Sequence, residues 1–182
     1  MSKLQYYCHT KEIQNIYEKS FPKSERFDFD ILKKCNKEPN VNLNCILQNN
    51  IPVGMQFTVE IPNNITYLMY FAIDEKYRNQ NIGSEALQNL VASKEKVMLL
   101  IEKPVNEFQE RRKRFYLRNG FYSTGVFIED ADIKYEVLIS CKDYKPTVKD
   151  LLNRYRFMTK STWTWNKIKK TFNAEYIKFI EE

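Results

Sequence analysis

Hydrophobic positions along the chain change period several times, and each change predicts an element. Residues 4–8 read as a short strand, and residues 11–20 set Ile13, Ile16 and Tyr17 on one helical face that Phe21-Pro22 terminates. A second short helix is predicted over residues 27–35. From Val41, strands over residues 44–48 and 53–59 flank the turn-rich Gln48-Asn49-Asn50-Ile51-Pro52, and Pro62-Asn63-Asn64 forms the next turn. Residues 65–73, dense in β-branched and aromatic side chains, make a further strand, and residues 84–91 carry Ala86, Leu87, Leu90 and Val91 at helical spacing. Residues 96–102 form an almost continuous apolar run between charges, which suits a strand buried on both faces. Strand, helix and strand together predict a right-handed βαβ unit.

Asn106 is the predicted N-cap, with Gln109 at the capping-box position, of a helix that Asn119-Gly120 ends; Phe108, Arg112 and Phe115 share one of its faces. Residues 121–127 and 135–141 then read as two antiparallel strands joined by a polar, acidic loop over residues 128–132. After Lys145-Pro146 the pattern changes to helices. Thr147 and Asp150 make a capping box for a helix with Val148, Leu151, Leu152 and Tyr155, and a second helix is predicted to carry Trp165, Ile168, Phe172 and Phe179 near heptad spacing. No internal repeat or long linker interrupts the chain. The expected organisation is one α/β domain over residues 1–145 with a helical extension over residues 146–182.

The 182 residues, 43% hydrophobic and 29% charged, are enough for one substantial core and have a globular composition. No apolar run approaches the roughly 18 residues that span a bilayer, and the first residues lack a signal-peptide pattern, so a cytoplasmic protein without membrane partners is expected. Cys8, Cys35, Cys45 and Cys141 form no C-x-x-C pair and His9 is the sole histidine, which argues against a metal site and, with reduced thiols as the expectation, against disulfide stapling. The net charge of +6 favours anionic ligands but is too diffuse to indicate nucleic acid.

Candidate chemistry gathers where an apolar strand runs directly into a polar turn that opens a helix, Y-F-A-I-D-E-K-Y-R-N-Q-N-I-G from Tyr70 to Gly83. Such a turn aims successive N–H groups and a helix N-terminus at an anion, with a pyrophosphate as the natural guest. R-N-Q-N-I-G-S followed by A-L resembles motif A of the GCN5-related N-acetyltransferases, Q/R-x-x-G-x-G/A, with Arg78, Asn81 and Gly83 at its marked positions. Downstream, F-Y-L-R-N-G-F from Phe115 to Phe121 is similar to that family's F-Y-x-x-x-G-F. Asn79 and Asn81 stand where the family favours Gly; Asn tolerates the left-handed conformation best among other residues, so the turn is expected to survive.

The resemblance covers about residues 4–141 in element order and implies a mixed, mostly antiparallel sheet with a splayed parallel strand pair, flanked by helices. It implies acetyl-CoA as co-substrate, held along the strand near Ala72 and Ile73, by the turn Arg78, Asn79, Gln80, Asn81, Ile82, Gly83 and Ser84, and by Asn106. It implies Tyr116 as the acid that protonates the departing thiolate. Glu102, at the acceptor side of the expected cleft, is the candidate base, with ordered water as the alternative. The basic run Arg111, Arg112, Lys113 and Arg114 is expected to be a solvated face, with one of them reaching a cofactor phosphate as the alternative. The expected activity is direct transfer of acetyl to a primary amine in a ternary complex, with polyamines, amino sugars, amino acids and protein amines all open as acceptors. The variable loops over residues 21–40 and 128–134 are the expected acceptor pocket. Two other readings are a non-catalytic acyl-CoA sensor and an RNA-directed enzyme whose tail, with Arg154, Tyr155, Arg156, Trp163 and Trp165, forms a basic aromatic surface. Packing, or a homodimer through the C-terminal helices, suits the helical spacing of that tail better.

Overall fold

Paired asparagines set the first half of the sheet. Asn49 and Asn50, with φ of 51° and 63°, close a two-residue hairpin between β2 (Val41–Gln48) and β3 (Ile51–Ile61). Both positions are left-handed, as the hairpin's twist requires. Asn63 and Asn64, at 66° and 55°, are also left-handed and with Pro62 make the three-residue turn before β4 (Ile65–Ile73), where Ile61 pairs with Ile65. The computed structural model describes residues 3–6, 11–130, 132–171 and 178–180. Cys8, His9 and Phe172 lie outside them. With β1 (Lys3–Tyr6), β5 (Lys96–Glu102), β6 (Tyr122–Asp130), β7 (Ile133–Ile139) and β8 (Lys178–Ile180), the described strands form one eight-stranded sheet in the order β1-β2-β3-β4-β5-β7-β6-β8. Among these pairings only β4 with β5 is parallel.

The period of two along each strand sends alternate side chains to two cores. On one face Leu43, Met55, Phe57, Met98 and Val137 pack under α1 (Lys11–Ser20), α2 (Phe29–Cys35), α5 (Val148–Arg156) and α6 (Thr162–Thr171). On the other, Val97, Leu99, Ile101 and Leu138 meet α3 (Ile82–Ser93) and α4 (Glu107–Arg118). Strand β5 is thus covered on both sides, as its continuous apolar run predicts.

A bulge opens the sheet where β4 meets β5. On the β3 side, Phe57 pairs with Tyr70 and Thr58 with Leu68, so Met69 is an extra residue on β4. An inserted residue bends a strand and increases its twist. On the β5 side, pairing stops at Tyr67 opposite Met98, and the two strands run on to Ile73 and Glu102 without pairing to each other.

Several expectations change. Residues 128–130 continue β6 instead of forming a loop, because Asp130 is buried and neutralised by Arg154. Phe179 lies in β8, paired with Ile128 at the edge of the sheet, and not on the second C-terminal helix, which is described to Thr171. The open edge of β6 supplies residues 178–180 with backbone partners. Arg154 is 1% exposed and Tyr155 is buried, so neither belongs to a basic surface for RNA. Leu151, Tyr155 and Ile168 are spent on the main core, where a dimer seam would have needed them outside. Cys35 and Cys141 are free, as expected, but Cys45 is disulfide-bonded. No helix among the described residues is long and apolar enough to cross a membrane.

The extension is fastened by polar contacts as well as by its apolar face. Thr147 and Asp150 form the predicted capping box of α5. The same carboxylate accepts from the Tyr144 hydroxyl at 2.9 Å and from Asn63 Nδ2 at 2.9 Å, tying the helix start to the β3–β4 turn. Asn40 Nδ2 donates to the Phe157 carbonyl at 2.7 Å at the helix end.

Candidate active site

The turn after β4 is built for backbone donors. Asp74 caps a short 3-10 segment by accepting from the Lys76 N–H at 3.0 Å, and Asn79 and Asn81 then take φ of 62° and 63°. Both asparagines adopt the left-handed conformation predicted for them. Asn81 precedes α3 without offering its side chain as a cap, so the first N–H groups of the helix stay open at their positive end. Arg78 Nε donates to the Ile73 carbonyl at 3.0 Å, which locks the turn to the end of β4. A methyl at Gly83 would stand 3.4 Å from both Ile73 and Phe115, so its absence lets α3 seat closely on β4 and α4.

Of the four basic residues opening the F-Y segment, Arg111 reaches this turn, its Nη2 lying 3.5 Å from Asn79 Oδ1. The others pair with carboxylates, Arg114 on the exposed face and Arg112 and Lys113 half-buried. Arg112 reaches Glu102 Oε2 at 3.2 Å, Lys113 pairs with Glu136 at 2.8 Å and Arg114 pairs with Glu107. Asn106 is the N-cap of α4, accepting from the Gln109 N–H at 3.0 Å. The expected capping box is displaced by one residue, because Gln109 Oε1 accepts from Val105 and its Nε2 donates to Glu102. Glu102 draws Gln109 away from the usual reciprocal bond.

Between the splayed strands lies a cavity of about 130 Å³ that brings Glu102 and Tyr116 together. Tyr116 is fixed edge-on by Phe115 at 5.5 Å and Phe121 at 5.8 Å between ring centroids. Burial pushes its phenol up to about 12, against a lowering pull from Arg112, so it remains a proton donor throughout the physiological range. Glu102 is the last residue of β5, cross-strand from Tyr135, with its carboxylate held by Arg112 and Gln109.

Four lining residues escaped the reading of the sequence. Glu25 sits in the 3-10 turn Lys23–Glu25, between α1 and α2. Its carboxyl is raised by burial first and then by the charge of Glu102, with Arg112 opposing. The loop is pinned by the Tyr17 hydroxyl donating to the Phe27 carbonyl at 3.0 Å and by the Phe27 N–H donating to the Tyr70 hydroxyl at 3.3 Å. Asp130, Tyr135 and Arg154 complete the set, and only the general expectation that residues 21–40 and 128–134 line the acceptor side pointed toward two of these regions. Arg154 comes from the C-terminal extension, whose sequence gave no sign of reaching the cleft.

The residues expected at the cofactor therefore fall into one continuous tract. It runs from Ala72 and Ile73 on the open edge of β4 into the turn of residues 78–84, which Arg111 of α4 reaches, while Asn106 caps the start of α4. Its components fit an acyl-CoA: an unpaired strand edge for an amide-bearing arm, uncapped helix N–H groups for a pyrophosphate, and Arg78 and Arg111 nearby. The splayed pair, the donor-rich turn and the tyrosine-lined cavity together define an acyltransferase. A family model described as the acetyltransferase (GNAT) family matches residues 10–121, and the chain belongs to that family, with acetyl-CoA as its co-substrate. The fold is shared with a protein described as an acetyltransferase of the GNAT family from Bacteroides thetaiotaomicron, at 22% identity over 75% of this chain and 85% of that one, with a TM-score of 0.66. A GNAT-family protein from Desulfovibrio desulfuricans matches at 12% identity, 76% and 98% coverage and a TM-score of 0.62. A Bacillus subtilis acetyltransferase solved in complex with CoA matches at 10% identity, 76% and 97% coverage and a TM-score of 0.54. No curated protein matches the chain.

Proposed function

We propose that the protein transfers the acetyl group of acetyl-CoA directly to a primary amine within a ternary complex. The observation that carries this reading is the splay of β4 and β5 beyond Tyr67 and Met98, which leaves a strand edge free and places Glu102 and Tyr116 on one cavity. Acetyl-CoA supplies the acyl carbon and a thiolate leaving group. The open edge of β4 near Ala72 and Ile73 orients the arm that carries them, and the turn Arg78, Asn79, Gln80, Asn81, Ile82, Gly83 and Ser84 holds the phosphates with Arg111 beside it. Asn106 offers its amide N–H groups to the arm while its oxygen caps α4.

In the transfer a C–N bond forms and the thioester C–S bond breaks. Glu102 accepts the proton that leaves the amine, directly or through one water, and Tyr116 donates its hydroxyl proton toward the thiolate sulfur. With the phenol at about 12 and a thiol reference of about 8.5, complete proton transfer is uphill, so a hydrogen bond to the developing thiolate is the larger contribution of Tyr116. Residues 1–145 form the catalytic domain in this reading, and residues 146–182 an extension packed on it.

Calorimetric titration with acetyl-CoA, followed by free-thiol release across a panel of amines with wild type and Tyr116→Phe, tests the reading. Saturable binding and amine-dependent release that Tyr116→Phe suppresses are expected. Binding with no release from any amine would make the fold a sensor, and no binding at all would overturn the assignment of the turn.

A further inference from the structure

Charge is unbalanced around the cavity. Its charged lining consists of Glu25, Glu102, Asp130, Arg112 and Arg154. Arg154 pairs with Asp130, and Arg112, ion-paired with Glu102, also acts on Glu25, so two guanidiniums serve three carboxylates. All three carboxylates bear on one phenol: burial raises the Tyr135 hydroxyl, and Asp130, Glu25 and Glu102 each push it the same way. Three acidic groups from three separate segments, the loop after α1, the end of β5 and the end of β6, thus line one cavity.

Asp130 shows a second imbalance. It is 5% exposed, and its Oδ2 accepts from the Arg154 guanidinium and, at 3.2 Å, from the Tyr155 hydroxyl. Its Oδ1 is also buried and has no hydrogen-bond partner among the described residues. A carboxylate oxygen held out of water without a donor is costly, and buried polar atoms are almost always satisfied. The residue lines the cavity, so a donor delivered there would complete it. The walls between the two acidic positions are aromatic, with Tyr67, Tyr70, Tyr135 and Tyr155 lining the same space, and aromatic faces attract ammonium groups.

Resting on the acetyl-transfer reading, we propose that the acceptor is a compact aliphatic diamine, with its reacting nitrogen between Glu25 and Glu102 and its second ammonium donating to Asp130 Oδ1. An amino acid would bring a fourth carboxylate to a site whose two guanidiniums are already engaged. Volume points the same way: an apolar cavity of about 150 Å³ takes one benzene ring, so about 130 Å³ suits a short alkyl chain. Glu25 then draws the cationic amine in, and Glu102 receives its proton.

The test is free-thiol release by the full chain at saturating acetyl-CoA, comparing diaminobutane with pentylamine, in which a methyl replaces the second ammonium. Loss of one charge-assisted hydrogen bond predicts that kcat/KM is higher for the diamine by about 10- to 100-fold. Asp130→Asn should narrow that ratio to about threefold or less, whereas damage to packing alone would lower both rates together and leave the ratio intact. Should Asp130→Asn leave Arg154 too poorly paired to fold, the wild-type ratio decides by itself. Equal rates for the two amines, as when a water serves Asp130 Oδ1, overturn the proposal while leaving acetyl transfer standing. Release only with a peptide amine or glycine also overturns it. Binding of acetyl-CoA with no release from any amine defeats the enzyme reading itself, and this proposal with it.

Discussion

Tyr116 and Glu25 carry the most informative single substitutions. The Tyr116 ring is held by Phe115 and Phe121 through contacts that a phenylalanine keeps. Tyr116→Phe should therefore leave the melting temperature within a few degrees while lowering kcat by about 100-fold, the usual scale for losing one positioned proton donor. Calorimetry beside steady-state thiol release separates the two effects. Because the phenol lies at about 12, no basic limb from Tyr116 should appear in the rate profile below pH 10. The acid limb belongs to the carboxylates. Burial and the neighbouring Glu102 raise Glu25, so its ionised form is disfavoured in the folded state, and the stability it withdraws is lost as pH rises through its folded pKa. Glu25→Gln should raise the melting temperature at neutral pH, with the gain vanishing in acid where the wild-type group is protonated.

At the scale of elements, the turn before α3 and the start of α5 each have a testable cost. Asn81 sits at φ 63°, where a β-carbon is strained, and Asn and Gly tolerate that conformation best. Asn81→Ala should destabilise by about 1 kcal/mol and weaken acetyl-CoA binding, whereas Asn81→Gly, the family's preferred residue, should keep both. Denaturant melts and calorimetric titration of the pair of variants decide it. These turn positions were legible in the sequence because strand, turn and helix follow one another without interruption, and left-handed backbone has a short menu of residues. Residues 96–102 were equally legible, since burial on both faces leaves no polar position to blur the pattern. The end of β6 was not. Glu129, Asp130 and Asp132 carry turn composition, and the reason Asp130 belongs to a strand is Arg154, 24 residues away. Glu25 was missed for a similar reason: a charged residue in a non-periodic loop has meaning only through Glu102 and Arg112, which the fold brings to it.

For the whole molecule, the extension lines the cavity as well as filling the core. Arg154 and Tyr155 line the cavity, and Leu151, Met158 and Ile168 fill the face beneath α1 and α2. Asp150 is the fastening that holds these helices in place, accepting four donors: the Thr147 N–H, the Thr147 and Tyr144 hydroxyls and Asn63 Nδ2. Burial works against its ionisation, but the bonds from Thr147, Tyr144 and Asn63 prevail and hold it below the usual carboxylate range. A depressed carboxyl contributes stability that is present above its unfolded pKa and is lost as pH falls through its folded one. Asp150→Ala removes that contribution and leaves the donors of a buried site unmet, so it should destabilise by about 3 kcal/mol at neutral pH and by much less near pH 3. Acetyl transfer should fall together with the α5 contacts, because Arg154 would no longer hold Asp130. A stop after Lys145 should be harsher still: it exposes Phe57, Val126 and Ile128 on the main core and strips Asp130 of its cation, so the truncated chain should aggregate or lose its cooperative melt. A truncated chain that stayed monomeric, melted cooperatively and kept its rate of thiol release would show the extension to be a separable appendage, and would remove Arg154 from the site.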